Sequence, residues 1–304
     1  MSKIAFLFSG QGAQKPGMGM EFYKADEEVK ALFDAADAIR PGTIDQLANA
    51  DDATLKLTEN TQPCLYLADL AAGIFMKNLG VQADCAAGFS LGELSALAFA
   101  GAYSCEDGFR FVHRRATLMG RESAKHDTGM AAIMKMENGK IEEICARYKA
   151  LYPVNYNSPG QLVIAGDKAD IAASMADFKA AGGRVIPLPV SGAFHTPFMK
   201  PAAVEFAAFH AKEESKLPAI PVYANRTAKI YTDAPTKTLA DQVDHPVLWE
   251  QTIRNMAADG VDTFIETGVG TTLQKLVGKI LPEAKAYAVE TPEQAKAVAE
   301  EVLG

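Results

Sequence analysis

The sequence predicts an α/β protein: a parallel sheet with helices on both faces, interrupted by an inserted ferredoxin-like module. Three observations carry this. KIAFLFSG and DCAAGF are short apolar runs that break at or beside glycine, as strands buried on both faces do. Segments with helical patterning alternate with them, which is the order of a layered α/β fold. From Gly129 the period changes, and a β-α-β-β-α-β order fills roughly 128 to 191.

Taken in order, KIAFLFSG is the first strand and GQGAQKPGMG a glycine-rich loop. EFYKADEEVKALFDAADAI is patterned as one helix, and a second is expected from Thr61 to Gly80 with Pro63 in its first turn. DCAAGF leads as a strand into Ser90, and LGELSALAFAGAY and EDGFRFVHRRATLMGRESA follow as helices. In the insert, GMAAIMKM is a strand and KIEEICARYKA a helix. PVNYNSPGQLVIAG is two strands around an NSPG turn, ADIAASMADFKAAGG a helix, and RVIPLPVS a strand. TPFMKPAAVEFAAFHAKEE is helical, and IPVYAN, DTFIETG and AKAYAVE are strands. The expected division is a discontinuous large domain, 1–127 with 192–304, and a small ferredoxin-like subdomain at 128–191.

Bulk properties narrow the function. An apolar fraction of 48% and a charged fraction of 22% are those of a soluble globular protein. A net charge of −8 argues against nucleic acid as a partner. No run is long and apolar enough to span a membrane, and MSKIAFLFSG is too short to read as a signal peptide. Cys64, Cys85, Cys105 and Cys145 make no C-x-x-C pair and read as reduced thiols of a cytoplasmic protein. Without heptads or another association signal, the expected state is a monomer, and no metal site is indicated.

The chemistry centres on GFSLG. G-x-S-x-G between a strand and a helix is the pattern of a nucleophile elbow, which makes the core α/β-hydrolase-like and Ser90 its candidate nucleophile. The competing reading is a tight turn with an N-capping serine. A serine needs a base. Of His113, His126, His195, His210 and His245, two fall on loops: His195 in GAFHTPFM and His245 in QVDHPVLW. His195, after a strand and a glycine, is preferred, and His210 reads as a surface residue of an amphipathic helix. The group orienting the histidine is open between Asp244, Glu266 and an amide carbonyl. GQGAQKPG lacks both the P-loop and the dinucleotide glycine spacing, so Gln11 reads as part of a turn facing a cleft.

The combination GQGAQ, G-x-S-L-G-E and GAFH, in that order, resembles the malonyl-CoA:acyl carrier protein transacylase family over nearly the whole chain. The resemblance implies that Ser90 carries the acyl group and that His195 is the general base. It implies an oxyanion hole from the N–H groups of Gln11 and Leu91, and a guanidinium for the malonyl carboxylate from Arg115, with Arg114 as the one-residue alternative. It assigns Gln242 to holding the histidine through a carbonyl. Where the family usually has histidine before the serine, this chain has Phe89; with Phe194 it is assigned to the specificity pocket.

The implied reaction is ping-pong transfer of malonyl from malonyl-CoA to the phosphopantetheine thiol of acyl carrier protein, in fatty acid biosynthesis. Both are substrates, and no cofactor is implied. Rival readings are a trans-acting acyltransferase of a polyketide or polyunsaturated fatty acid synthase, a serine thioesterase or hydrolase, and a carrier-binding module with a degenerate site. Lys15, Arg114, Lys200 and Arg226 are expected at the rim that meets the carrier.

Overall fold

The computed structural model describes residues 2–190 and 192–304. Among the described residues nine strands fall in two sheets: Ile4–Phe8 (β1), Cys85–Gly88 (β2), Thr128–Met134 (β3), Leu151–Ser158 (β4), Gln161–Asp167 (β5), Arg184–Pro187 (β6), Val222–Tyr223 (β7), Thr263–Thr267 (β8) and Lys285–Val289 (β9). The first sheet runs β7-β2-β1-β8-β9 with all pairings parallel. Every residue of β1 is buried, which explains why IAFLF shows no polar alternation. One face of the sheet packs on the core holding Phe6, Phe8 and the helix Thr58–Asn78; the other packs on Trp249, Ile253 and Leu276.

The chain leaves β1 toward β2 on one side and later returns through β8 on the other. The strand order therefore reverses around β1, and a crevice opens at the carboxyl ends of the strands. Phe8 is in register with Gly88, so the turns following β1 and β2 lie side by side. This pairing brings Gln11 beside Ser90.

The second sheet, order β4-β5-β3-β6, is antiparallel and has the ferredoxin-like arrangement expected of the insert. The helices Asn138–Cys145 and Lys168–Ala180 supply its own core with Ile141, Ile144 and Phe178. The expected boundary at 191 falls on a residue outside those described.

Several boundaries differ from the sequence reading. EFYKADEEVKALFDAADAI forms two helices, Met20–Ala25 and Glu27–Ile39, because Asp26 is extended and its carboxylate caps Glu28 and Val29. The helix expected from Thr61 begins at Thr58, so Pro63 lies inside it. Burial of nearly the whole element outweighs the backbone bond that proline forfeits. Helices at Thr43–Asn49 and Asp52–Leu55 had no expected counterpart. His210 is buried, contrary to expectation: it sits against Phe111, with ring centroids 4.1 Å apart, and donates to or accepts from Ser215 Oγ at 2.7 Å. Among the described residues no helix is long and apolar enough to cross a membrane.

Candidate active site

Ser90 is separated from the end of β2 by Phe89 alone and adopts φ 53°, a left-handed conformation that a non-glycine residue holds only under constraint. The constraint is visible on both sides of it. Its N–H donates to Asn225 Oδ1 at 2.7 Å, and its carbonyl accepts from Gln242 Nε2 at 2.7 Å. The flanking glycines are required by contact. A Cβ on Gly88 would fall 1.9 Å from the Gly92 backbone, and one on Gly92 would fall 2.2 Å from the Phe8 carbonyl oxygen. The helix Gly92–Phe99 thus starts against the strand ends, and the serine is pushed outward.

Ser90 Oγ and His195 Nε2 are 2.8 Å apart. His195 Nδ1 lies 2.8 Å from the backbone carbonyl oxygen of Gln242. A carbonyl only accepts, so Nδ1 carries the proton and Nε2 is left to accept from the serine hydroxyl. Of the candidates left open by the sequence, the group in contact with Nδ1 is a carbonyl. Asp244 instead meets Lys200 at 3.2 Å and His245 at 2.8 Å, and Glu266 Oε2 accepts from the Gln274 N–H. Burial, then the nearby Arg115 charge, drives the His195 pKa down to about 4, so the ring is neutral at pH 7.

Arg115 is buried on the helix Cys105–Ser123, whereas Arg114 faces Glu205 at the surface. Its Nη1 donates to Gln62 Oε1 at 2.6 Å, and its Nη2 to Gln242 Oε1 at 2.8 Å and Ser90 Oγ at 3.1 Å. Burial lowers its pKa to about 10, with Glu93 opposing the shift, so it remains a cation at neutral pH. Its direct hydrogen-bond partners are thus neutral groups, which leaves the positive charge available to an anion.

These groups surround a cavity of about 80 Å³ whose wall includes Ser90, His195, Arg115, Gln11, Phe89 and Phe194. Phe194 is buried beside His195, and Phe89 turns its ring edge-on to Trp249 with centroids 5.4 Å apart. Leu91 caps the N-terminus of the helix Gly92–Phe99, and the N–H groups of Gly92, Glu93 and Leu94 that follow it donate to the carbonyls of Phe89, Ser90 and Leu91. The Gln11 side chain accepts from Thr58 Oγ at 2.8 Å. The loop carrying Gln11 is anchored by buried Asp69, which accepts from Ser9 Oγ at 2.6 Å and Ser95 Oγ at 3.0 Å.

A larger cleft of about 970 Å³ shares Gln11 and Phe194 with the cavity and runs between the two sheets' domains. Its cations are Lys56, Arg121 and Lys168. Arg121 is paired with Glu122 and Glu205 and Lys168 with Asp127, just as Lys15, Arg114 and Lys200, expected at the rim from sequence, are paired with Glu290, Glu205 and Asp244. Sequence reasoning also missed Gln62, Asn225 and Tyr231, and gave Glu93 no role. The only available signal was chemical: a buried arginine demands acceptors, which no local motif names.

The arrangement can pass the Ser90 proton to His195 while holding an anionic acyl group at Arg115. The acyl transferase domain family matches residues 5–297. A malonyl CoA-acyl carrier protein transacylase from Bacillus subtilis is 38% identical over 302 residues, covering 96% of this chain and 95% of the relative. The solved malonyl CoA-acyl carrier protein transacylase of Clostridium perfringens superposes with a TM-score of 0.95 at 35% identity, covering 99% of this chain and 98% of that one. A malonyl-transacylase solved in complex with its type II PKS acyl-carrier protein gives a TM-score of 0.95 at 32% identity, covering 99% and 100%. The chain belongs to the malonyl CoA-acyl carrier protein transacylase family of acyl transferase domains.

Proposed function

We propose that the protein moves a malonyl group from coenzyme A to the phosphopantetheine thiol of an acyl carrier protein, through an ester on Ser90, in fatty acid biosynthesis. The observation that carries this reading is the buried Arg115 guanidinium, 3.1 Å from the hydroxyl that His195 faces at 2.8 Å. A cation so placed suits an acyl group ending in a carboxylate and penalises a plain alkyl chain.

In the first half-reaction Ser90 Oγ attacks the thioester carbonyl as its proton passes to His195 Nε2. The N–H groups of Gln11 and Leu91 stabilise the oxyanion. The C–S bond breaks, and His195 returns the proton to the departing coenzyme A sulfur. In the second, the carrier thiol gives its proton to His195, attacks the ester carbonyl, and the proton returns to Ser90 Oγ as the C–O bond breaks. The backbone carbonyl of Gln242 keeps His195 in the required tautomer throughout. Phe194 beside the acyl cavity limits room for an α-methyl branch, and Phe89 lines the same pocket. No metal or redox cofactor enters this scheme.

The wide cleft, lined by Lys56 and by Leu188 and Val190 before Phe194, is the route for the pantetheine arm, with Lys56 facing an acidic carrier. We place the enzyme in the cytoplasm, a reading supported by the free thiols Cys64, Cys85, Cys105 and Cys145, and expect a monomer. Intact-protein mass after incubation with malonyl-CoA tests the reading. The expected result is one added malonyl group, mapped to Ser90 and discharged by holo carrier protein. Equal loading of a Ser90→Ala variant overturns it.

A further inference from the structure

Glu93 closes the GFSLGE motif, yet its side chain touches neither Ser90 Oγ nor His195. It is fully buried in the first turn of the helix Gly92–Phe99. Three donors from distant segments converge on its carboxylate. The Tyr231 hydroxyl donates to Oε1; Gln242 Nε2 at 2.7 Å and the Asn225 N–H at 3.1 Å donate to Oε2. Two of these donors reach onward into the site. Asn225 Oδ1 accepts the Ser90 N–H at 2.7 Å, and its Nδ2 donates to the Gly88 carbonyl at 2.7 Å. Gln242 Nε2 also donates to the Ser90 carbonyl, while its Oε1 accepts from Arg115 at 2.8 Å.

The orientation of the Gln242 amide is therefore forced. An anionic carboxylate only accepts, so the NH2 end must face Glu93 and Ser90, and the oxygen must face Arg115. If position 93 presented a donor, the amide would gain by turning over, and its NH2 would then confront the guanidinium. We propose that Glu93 is a positioning residue for acyl transfer: it sets the Gln242 amide that aims Arg115 and, through Asn225, supports the turn that presents Ser90. This rests on Ser90 as the acyl carrier and Arg115 as the carboxylate clamp. The ionised groups and phenols facing Glu93 are Arg115 from its helix, Tyr103 from the preceding loop and Tyr231, with His195 beyond Gln242. Burial pushes the Glu93 pKa up to about 7, against the pull of Tyr231, Gln242, Asn225 and Arg115, so the orienting charge itself titrates near neutrality.

The test uses the full-length enzyme with malonyl-CoA, acetyl-CoA and holo carrier protein. Glu93→Gln keeps the shape but removes the charge and turns one of the two accepting oxygens into a donor, so Tyr231, Gln242 and the Asn225 N–H no longer all meet acceptors in their present geometry. Its malonyl kcat/KM should fall roughly 100-fold and its malonyl-to-acetyl ratio at least about tenfold. A near-neutral acid limb in the wild-type profile should disappear in the variant. Wild-type rates, or equal loss for both acyl groups with the acid limb retained, overturn the proposal. Should Glu93→Gln not fold, Tyr231→Phe keeps the carboxylate but removes one donor, and the limb should move to higher pH. An unmoved limb overturns the proposal. Malonyl-Ser90 measured on the wild type separates the two readings. Its absence defeats the transferase reading and this proposal together, whereas its presence with an unaffected Glu93→Gln variant defeats this proposal alone.

Discussion

Arg115 Nη2 donates to Ser90 Oγ at 3.1 Å, so the cation and the hydroxyl are in contact before any acyl group is present. On a malonyl ester of Ser90 the free carboxylate is only a methylene from the ester carbon. The same nitrogen can therefore exchange its hydroxyl contact for the carboxylate without leaving Gln242 Oε1.

Selectivity should follow this geometry. Truncating one partner of a buried, hydrogen-bonded charge pair costs about 2–5 kcal/mol. Arg115→Ala should accordingly lower malonyl kcat/KM by about 100-fold or more. Acetyl transfer, which presents no carboxylate, should fall far less. Arg114→Ala is the control, because its side chain is 40% exposed and meets Glu205 at 3.5 Å. The ratio of the two kcat/KM values is the measurement, and an unchanged ratio in the Arg115 variant counts against the clamp.

The same cation acts on His195. Burial is the larger cause of the low His195 pKa and Arg115 the second. Removing a positive neighbour favours the imidazolium, so the His195 pKa should rise in Arg115→Ala toward the ordinary 6.5. The ring resonance of His195, followed by NMR across pH 4 to 7, reads this directly. Wild-type His195 should titrate near the bottom of that range and the variant higher; coincident curves argue against the coupling.

Phe89→His restores the residue that the family usually places before the serine. The variant should still load malonyl, since Ser90 Oγ already meets His195. It should lose the edge-on contact with Trp249, whose centroid lies 5.4 Å away. Aromatic pairs of this kind are worth about 0.5–1.5 kcal/mol beyond area burial. Chemical denaturation and the loading assay together check both halves, and loss of loading would give Phe89 a larger part than pocket lining.

His210 should make stability depend on acid. Burial drives its pKa from 6.5 down to about 4, and its Nδ1 has no partner among the described residues. Between those values the unfolded chain binds a proton that the folded chain refuses, so stability falls as pH drops through this window. The loss should reach the order of a few kcal/mol by pH 4. Urea unfolding of wild type and His210→Phe at pH 7 and pH 4.5 measures it. The variant should lose less on acidification, while His195 contributes alike to both; equal losses would remove His210 as the source.

The uneven legibility of the chain has a physical cause. IAFLF, the GFSLG turn and the β-α-β-β-α-β insert are local patterns: burial on both faces, close backbone approach and hydrophobic period all act between near neighbours. The break at Asp26 was missed because helical patterning continues across it, and only the capping carboxylate shows the change of axis. His210 was misplaced because its helix carries charge nearby, while the pocket of Phe111 and Tyr103 that encloses it comes from elsewhere in the chain.

By itself, the sequence determined the α/β class and, through the family motifs, the candidates Ser90, His195, Arg115, Gln11 and Gln242. It did so because each lies in a short segment whose residue types constrain one another. Tertiary structure alone decided how they are held. Gln242 offers its backbone to His195 and its side chain to Arg115 and Ser90, and Asn225 and Gln62 complete the shell. Those contacts join positions 47 to 152 residues apart. A buried polar group takes whichever partner the packed chain delivers, and no local spacing encodes that delivery.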